Sequence, residues 1–357
     1  MSIPASAASS RPAAREYTVG WIAPILVERV AARVMLDDVY DAPDIGNNAD
    51  SNCYIFGRIG SHKVVIASCS AGNYGIVSAA TVATEMVSSF EALRFCLIVG
   101  IAGGIPINHD IRLGDVVVSQ PAKMFGASGV VRHDSGKIGE DGKVMCTSSL
   151  NQPPEILLKV IVDMQTKHIV DGSQISRILE ETSQKNPWMM TTGLNNSSFA
   201  HQGSENDQLF QADYEHIKGL NTCESCDSNR VKARSVRLSG EPEIHYGIIA
   251  SGDQVVKHAP TRDRIGKEFD ALCVEMESGG VMNKVPSLVI RGICDYADTH
   301  KNKRWQNYAA LTAAAYAREL LLIVRSGQME GIPTALSVVK LSQNPLNTWP
   351  KKSILII

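Results

Sequence analysis

The stretch "SLVIRGICDYADTH", residues 287–300, decides how this chain is read. Its first half is an apolar run with no polar alternation, the pattern of a strand covered on both faces. The run closes on Cys294 and Asp295, and a second carboxylate, Asp298, follows three residues later. A strand that runs into acid is common, because loops need polar residues. Taken alone, Asp295 is either a turn residue or a chemical group.

Working outward, the same grammar repeats. "YTVGWIAP" (17–24) reads as a buried strand and "LVERVAARVML" (26–36) as an amphipathic helix. "CYIFGRIGSHKVVIASC" (53–69) reads as a hairpin turning at Gly60-Ser61, and "GIVSAATVATEMVSSF" (75–90) as a helix entered through glycine. Further strands are expected in "RFCLIVGIAGGI" (94–105), "LGDVVVSQ" (113–120), "IHYGIIASG" (244–252) and "ALCVEME" (271–277), with a last helix over 307–326. Strands alternating with helices predict a single α/β domain. Its central sheet is mixed, largely parallel and twisted, with helices on both faces. Residues 17–326 carry this pattern. Residues 1–16 read as a disordered tail, 183–243 as a long polar insertion, and 327–357 as a tail without clear period.

Composition narrows the function classes. The 357 residues are 44% hydrophobic and 20% charged, with a net charge of -2. No global basic field is present, so no nucleic-acid partner is expected. No apolar run reaches the length of a membrane span, so no membrane partner is expected either. "MSIPASAASSRPAARE" lacks the apolar core of a secretory signal. Most of the eight cysteines (Cys69, Cys96, Cys273, Cys294 among them) sit in strand-like runs, and a reducing, cytoplasmic setting is expected.

In open α/β sheets, ligands sit at the carboxyl ends of the strands. Those ends here are "GIAGGI", "SGDQ", "VEMES" and "CDYAD", with Glu28 following the first strand. "IVGIAGGI" lacks the spacing of a dinucleotide fingerprint, and no phosphate-cradling Walker loop is present. "CESC" (223–226) is one C-x-x-C with no second pair at zinc spacing, so no metal and no cofactor is expected. In "VEMES", Glu275 and Glu277 share a face at strand spacing and Met276 takes the other. Paired acids there either bind something or open a helix, where they suit the dipole.

Together, "YTVGWIAPILVERVAARVML", "GIAGGIP", "IRLGDVVVSQP", "HYGIIASGDQVVK", "VEMESGG" and "RGICDYADTHKNKRWQNYAALTAAAYARELL" resemble the purine nucleoside phosphorylase/nucleosidase superfamily. The likeness is strongest to the domains found in fungal immune-receptor-type proteins, and to a branch that cleaves ATP. The resemblance implies cleavage of a purine N-glycosidic bond, with Asp295 donating a proton to N7 of the leaving base. An acid in that role must carry its proton when the purine binds. It places Glu277 on the ribose hydroxyls and Met276 under the sugar. It also places Val255, Val256, Ala102 and Gly103 around the base and sugar, with Glu275 and Lys257 close by.

Superfamily phosphorylases hold phosphate with an arginine at a strand end where this chain has Ile98 and Val99. The hydrolases place a water-activating glutamate eight residues after the first-strand glycine. Counting from Gly20 gives Glu28. The resemblance therefore implies hydrolysis, with a purine nucleotide or nucleoside as substrate and a homo-oligomeric assembly. The cations Lys257, His258, Arg262 and Arg264, and Arg230, Lys232, Arg234 and Arg237 in the insertion, are either a solvated charge run or the cradle of a 5′-triphosphate. ATP ranks ahead of adenosine or methylthioadenosine on that ground. A phosphate-dependent phosphorylase and a catalytically silent nucleotide sensor are the alternatives.

Overall fold

The computed structural model describes residues 11–47, 49–122, 128–138, 144–145, 149–191, 198–237 and 239–343. Cys146, most of the expected N-terminal tail and the last fourteen residues lie outside them.

Among the described residues, ten strands form one mixed sheet. They are β1 (Val19–Ile22), β2 (Asp38–Tyr40), β3 (Ile55–Ile59), β4 (His62–Ala67), β5 (Phe95–Gly104), β6 (Val116–Ser119), β7 (Val130–Arg132), β10 (Ile244–Ser251), β11 (Ala271–Glu275) and β12 (Ser287–Asp295). A separate small pair is β8 (Lys137–Ile138) with β9 (Val144–Met145). The strand order is β11-β10-β6-β12-β5-β1-β4-β3-β2, with β7 beside β10. β11 also pairs antiparallel with β5, so β5, β12, β6, β10 and β11 close into a ring. Parallel pairings dominate the centre, as the apolar runs imply, and antiparallel ones occur at β2–β3–β4, β6–β12 and β5–β11.

The helices are α1 (Leu26–Val34), α2 (Ile76–Ser89), α3 (Glu155–Asp171), α4 (Ile175–Lys185), α5 (Pro187–Met190), α6 (Ala259–Phe269), α7 (Ser278–Val281), α8 (Gln306–Ile323), α9 (Ser326–Glu330) and α10 (Ala335–Gln343). α8 is buried along nearly its whole length because alanines let it lie close on the sheet. The contact is so close that a Cβ on Gly292 of β12 would overlap the Ala309 carbonyl. One core layer sits between the sheet and α1, α3, α4 and α8, and a second under α2. No described helix is long and apolar enough to cross a membrane.

Two readings of the chain ends change. Arg15 and Glu16 end a short 3-10 turn rather than a free tail, and Glu16 pairs with Lys63 at 2.6 Å. Residues 327–343 are largely helical. The Ala335 N–H donates to Leu93 O (2.7 Å) and Arg94 to Ile332 O (2.5 Å). Each helix is too short for a 3.6-residue period to stand out. The expected insertion begins with the last turn of α4 and is otherwise mostly irregular, as its composition implies.

Candidate active site

A cleft of about 280 Å³ opens at the carboxyl ends of β5, β11 and β12. It is lined by Glu28, Ala102, Gly103, Val255, Val256, Glu275, Met276, Glu277 and Asp295, with Tyr74, Lys301 and Lys303 at its margin. Lys257 is exposed and does not line it. A larger apolar cleft, about 680 Å³, lies at the amino ends of β5 and β12 near Arg94 and Pro286. It gathers no facing pair of carboxylates, and strand amino ends are not where such sheets place ligands.

The floor of the smaller cleft is built on a residue the sequence reading passed over. Arg291, in the middle of β12, is fully buried. Its Nη2 donates to Glu275 Oε2 and, at 3.2 Å, to Glu277 Oε2, while Nη1 stands 3.8 Å from Glu28 Oε1. Three carboxylates therefore share one guanidinium. The register explains the room for them. Arg291 lies opposite Gly100 of β5, and a Cβ at Gly100 would overlap both Glu28 Oε1 and Arg291 Nη1. The sequence did carry a signal: a charge inside an otherwise apolar strand must find partners, because a buried unpaired ion is prohibitively costly.

The three carboxylates differ in their environments. The Glu275 oxygens accept from the Glu277 and Ser278 N–H groups (3.1 and 3.0 Å) and from Ser278 Oγ (2.5 Å) as well as Arg291. Burial alone would raise this carboxyl, but the Arg291 charge and the Ser278 bonds outweigh it and hold it below its ordinary range. Its side chain is sealed off from the cleft opening, so the sequence-expected ligand Glu275 is an internal counter-ion to Arg291. The strand ends at Glu275, and Glu277 stands at the N-cap position of α7, without a capping hydrogen bond from its side chain, rather than continuing a strand face. Glu277 spends one oxygen on Arg291, and burial pushes its carboxyl up to about 7 despite that charge. Glu28, on the first turn of α1, accepts from Ile25 N–H (2.9 Å) and, across the sheet, from Ile101 N–H (2.8 Å). It is thus both the helix-opening residue and a cleft residue. Burial pushes it up to about 8, against the opposing pull of Arg291.

Asp295 is aimed by a bulge. β12 runs in register with β5 to Ile293, skips at Cys294, and sets Asp295 opposite Gly103. Asp295 Oδ1 accepts from Ala297 N–H (2.9 Å), and Ala297 adopts φ 50°, a left-handed turn that brings the chain back over the acid. Oδ2 accepts from Lys301 Nζ (2.7 Å) and from Cys294 Sγ (3.1 Å). Asp295 is therefore ion-paired with Lys301, a partner the sequence reading missed. Asp298 takes the bland role expected of it, accepting from His300 N–H at 2.9 Å.

The expected triphosphate cations are mostly spent elsewhere. Arg230 pairs with Asp213, Arg234 with Asp207, Arg237 with Asp115, and Arg264 with Glu268. Arg262 is buried against Tyr296 O and Asp263. Arg237–Asp115 and Arg262–Tyr296 O fasten the insertion and α6 to the body, while the Arg230 and Arg234 pairs lie within the insertion and the Arg264 pair within α6. Tyr296, next to Asp295, donates to Asp207 and accepts from Arg234 (2.7 Å). Phosphate-type binding at α2 is also pre-empted, because Asp253 Oδ1 accepts from the Ile76 N–H at its N-terminus (3.4 Å).

A closed five-strand ring, with helices on both sides, thus brings acids together at its strand ends. Residues 27–325 match the family model of the phosphorylase superfamily, and the chain belongs to that superfamily. It is 41% identical over 313 residues to a nucleotide-binding leucine-rich-repeat-like protein of Hyaloscypha variabilis. The match takes in 87% of this chain and 30% of that protein, so the chain spans about a third of that relative's length. It is 25% identical, over 72% of its length and 41% of the relative's, to an ATP nucleosidase of Escherichia coli. Among solved structures, the 5′-methylthioadenosine/S-adenosylhomocysteine nucleosidase of Helicobacter pylori shares the fold. The TM-score is 0.52 at 17% identity, covering 86% of this chain and 98% of that one.

Proposed function

We propose that this chain is a purine N-ribohydrolase, with ATP or a related adenine nucleotide as its substrate. The observation that carries the reading is the Arg291 cluster. Phosphorolysis needs a cation on the cleft floor to hold phosphate under the sugar, and here the guanidinium on that floor faces three carboxylates. Those carboxylates, once ionised, instead suit the positive charge that builds on the sugar as an N-glycosidic bond stretches.

The geometry supports the following steps. Glu277, with one oxygen on Arg291, offers the other to the ribose hydroxyls. Met276 packs beneath the sugar. Glu28 takes a proton from water as the water attacks the anomeric carbon. The bond to the base breaks, its electron pair moves into the purine, and the Asp295–Lys301 pair delivers a proton to N7. The 5′-phosphate reading is supported by similarity to the ATP nucleosidase and by Lys303. That residue is exposed at the cleft margin and has no ion-pair partner among the described residues. A homo-oligomeric state belongs to the same proposal and is read by light scattering on the purified chain.

The test is product analysis with ATP, AMP, adenosine, inosine and methylthioadenosine, each with and without phosphate. The expected result is phosphate-independent release of adenine, fastest from ATP. Strict phosphate dependence overturns hydrolysis. Release from adenosine but not ATP overturns the nucleotide assignment. Saturable ATP binding without any product identifies a silent sensor instead.

A further inference from the structure

The insertion gathers three metal-binding side chains that sequence spacing alone did not connect. His216, Cys223 and Cys226 present ligand atoms that all lie within 4.8 Å of one another. A turn closed by Cys226 N–H to Cys223 O (3.0 Å) sets the two sulfurs on one side. His216 lies seven residues before the first cysteine. A single C-x-x-C suggested nothing because its third partner is a histidine outside the usual spacing patterns.

Two further observations point to an ion. His216 Nε2 lies 3.0 Å from Thr222 O. A histidine that gives its Nε2 proton to a carbonyl presents the Nδ1 lone pair, the arrangement by which metal-bound histidines are oriented. Beside it, His300 is 7% exposed, and neither of its ring nitrogens has a hydrogen-bond partner. The His300 ring stacks on Phe210 at 3.9 Å and meets His216 edge-on at 5.4 Å. His300 is thus a buried imidazole without a hydrogen-bond partner, packed against the sulfur–imidazole cluster.

We propose that His216, Cys223 and Cys226 bind one zinc ion, with His300 beside the fourth position, and that the ion clamps the insertion onto the turn carrying Lys301. Two thiolates and an imidazole form a soft, tetrahedral donor set, which selects zinc over magnesium or calcium. The cluster already lies against that turn: the His216 N–H donates to Thr299 Oγ1 (2.9 Å), and Cys223 Sγ stands 3.7 Å from His300 O. Thr299 and His300 immediately precede Lys301, which holds Asp295. The role is structural, so it stands whether or not the catalytic reading does.

The test uses the full chain, purified without added metal. Metal content is measured by plasma mass spectrometry, and chelator-stripped protein is titrated with Zn²⁺ and with Co²⁺, whose thiolate absorption reports sulfur ligation. The expected result is one ion per chain with a cobalt–thiolate band. Cys226→Ser and His216→Ala should each weaken zinc binding by at least about 100-fold while the far-ultraviolet spectrum is unchanged. Cys53→Ser, at an exposed free cysteine, should leave binding intact. Amide hydrogen exchange over residues 296–303 should rise several-fold in stripped protein. Sub-stoichiometric uptake, uptake that survives loss of Cys226, or a Cys223–Cys226 disulfide in metal-free protein overturns the site. Unchanged exchange over 296–303 overturns the clamp.

Discussion

Replacing Glu28 with glutamine should reverse the stability order of variant and wild type between pH 5 and pH 9. In the folded chain this carboxyl titrates at about 8, while in the unfolded chain it returns to its ordinary 4.5. Below pH 4.5 the group is protonated in both states and favours neither. As pH rises from 4.5 towards 8, the unfolded chain ionises and the folded chain does not. Glu28 then lowers wild-type stability by about 1.4 kcal/mol per pH unit. The full loss is on the order of 4–5 kcal/mol and is complete above pH 8. Glutamine does not titrate, but its single carbonyl oxygen cannot accept from both Ile25 and Ile101 N–H, as Glu28 does. One buried donor is left unpaired, costing about 1–3 kcal/mol. The variant should therefore be the less stable protein at pH 5 and the more stable one at pH 9. Urea denaturation at pH 5, 7 and 9, at fixed ionic strength and followed by circular dichroism, measures this. A stability difference that stays constant across that range refutes the buried-carboxyl argument.

Asp295→Asn should lower kcat by at least about 100-fold, measured as adenine release. For wild type, kcat/KM should climb with pH until about 8, because Glu28 must be ionised to accept a proton from water, and a flat profile between pH 5.5 and 8 contradicts that role. Arg291→Met should cost about 3–5 kcal/mol in denaturant titration, since it strands buried carboxylates. Lys303→Ala should raise KM for ATP about five- to tenfold and leave adenosine kinetics unchanged, consistent with one exposed charge contact.

The sheet was legible because its central strands are long and covered on both faces. "RFCLIVGIAGGI" and "SLVIRGICD" leave little room for a helical period. The closure of the sheet was not legible, since the β5–β11 pairing rests on two residue pairs and no sequence pattern announces it. α3 and α4 were left unassigned. α3 carries apolar residues around much of its surface, including exposed Val162, Ile169 and Val170, so its buried stripe is blurred. At the site, residues at strand ends could be named because the topology predicts where strand ends gather. Arg291 and Lys301 escaped because their significance lies in partners far away in sequence. The eight cations of the insertion and of residues 257–264 misled for the converse reason. Charge was visible in the sequence, but the acids that neutralise most of it were not.

Ring closure also governs how the molecule can meet its own kind. The main sheet keeps open edges only at β2 and β7 among its described strands, and each is three residues long. At β2, Asp38 already holds Arg58 of the neighbouring strand. Such stubs offer too few backbone groups to recruit a strand from another chain. Copies crowded together can therefore associate through helix faces while resisting the edge-to-edge pairing that leads to fibres.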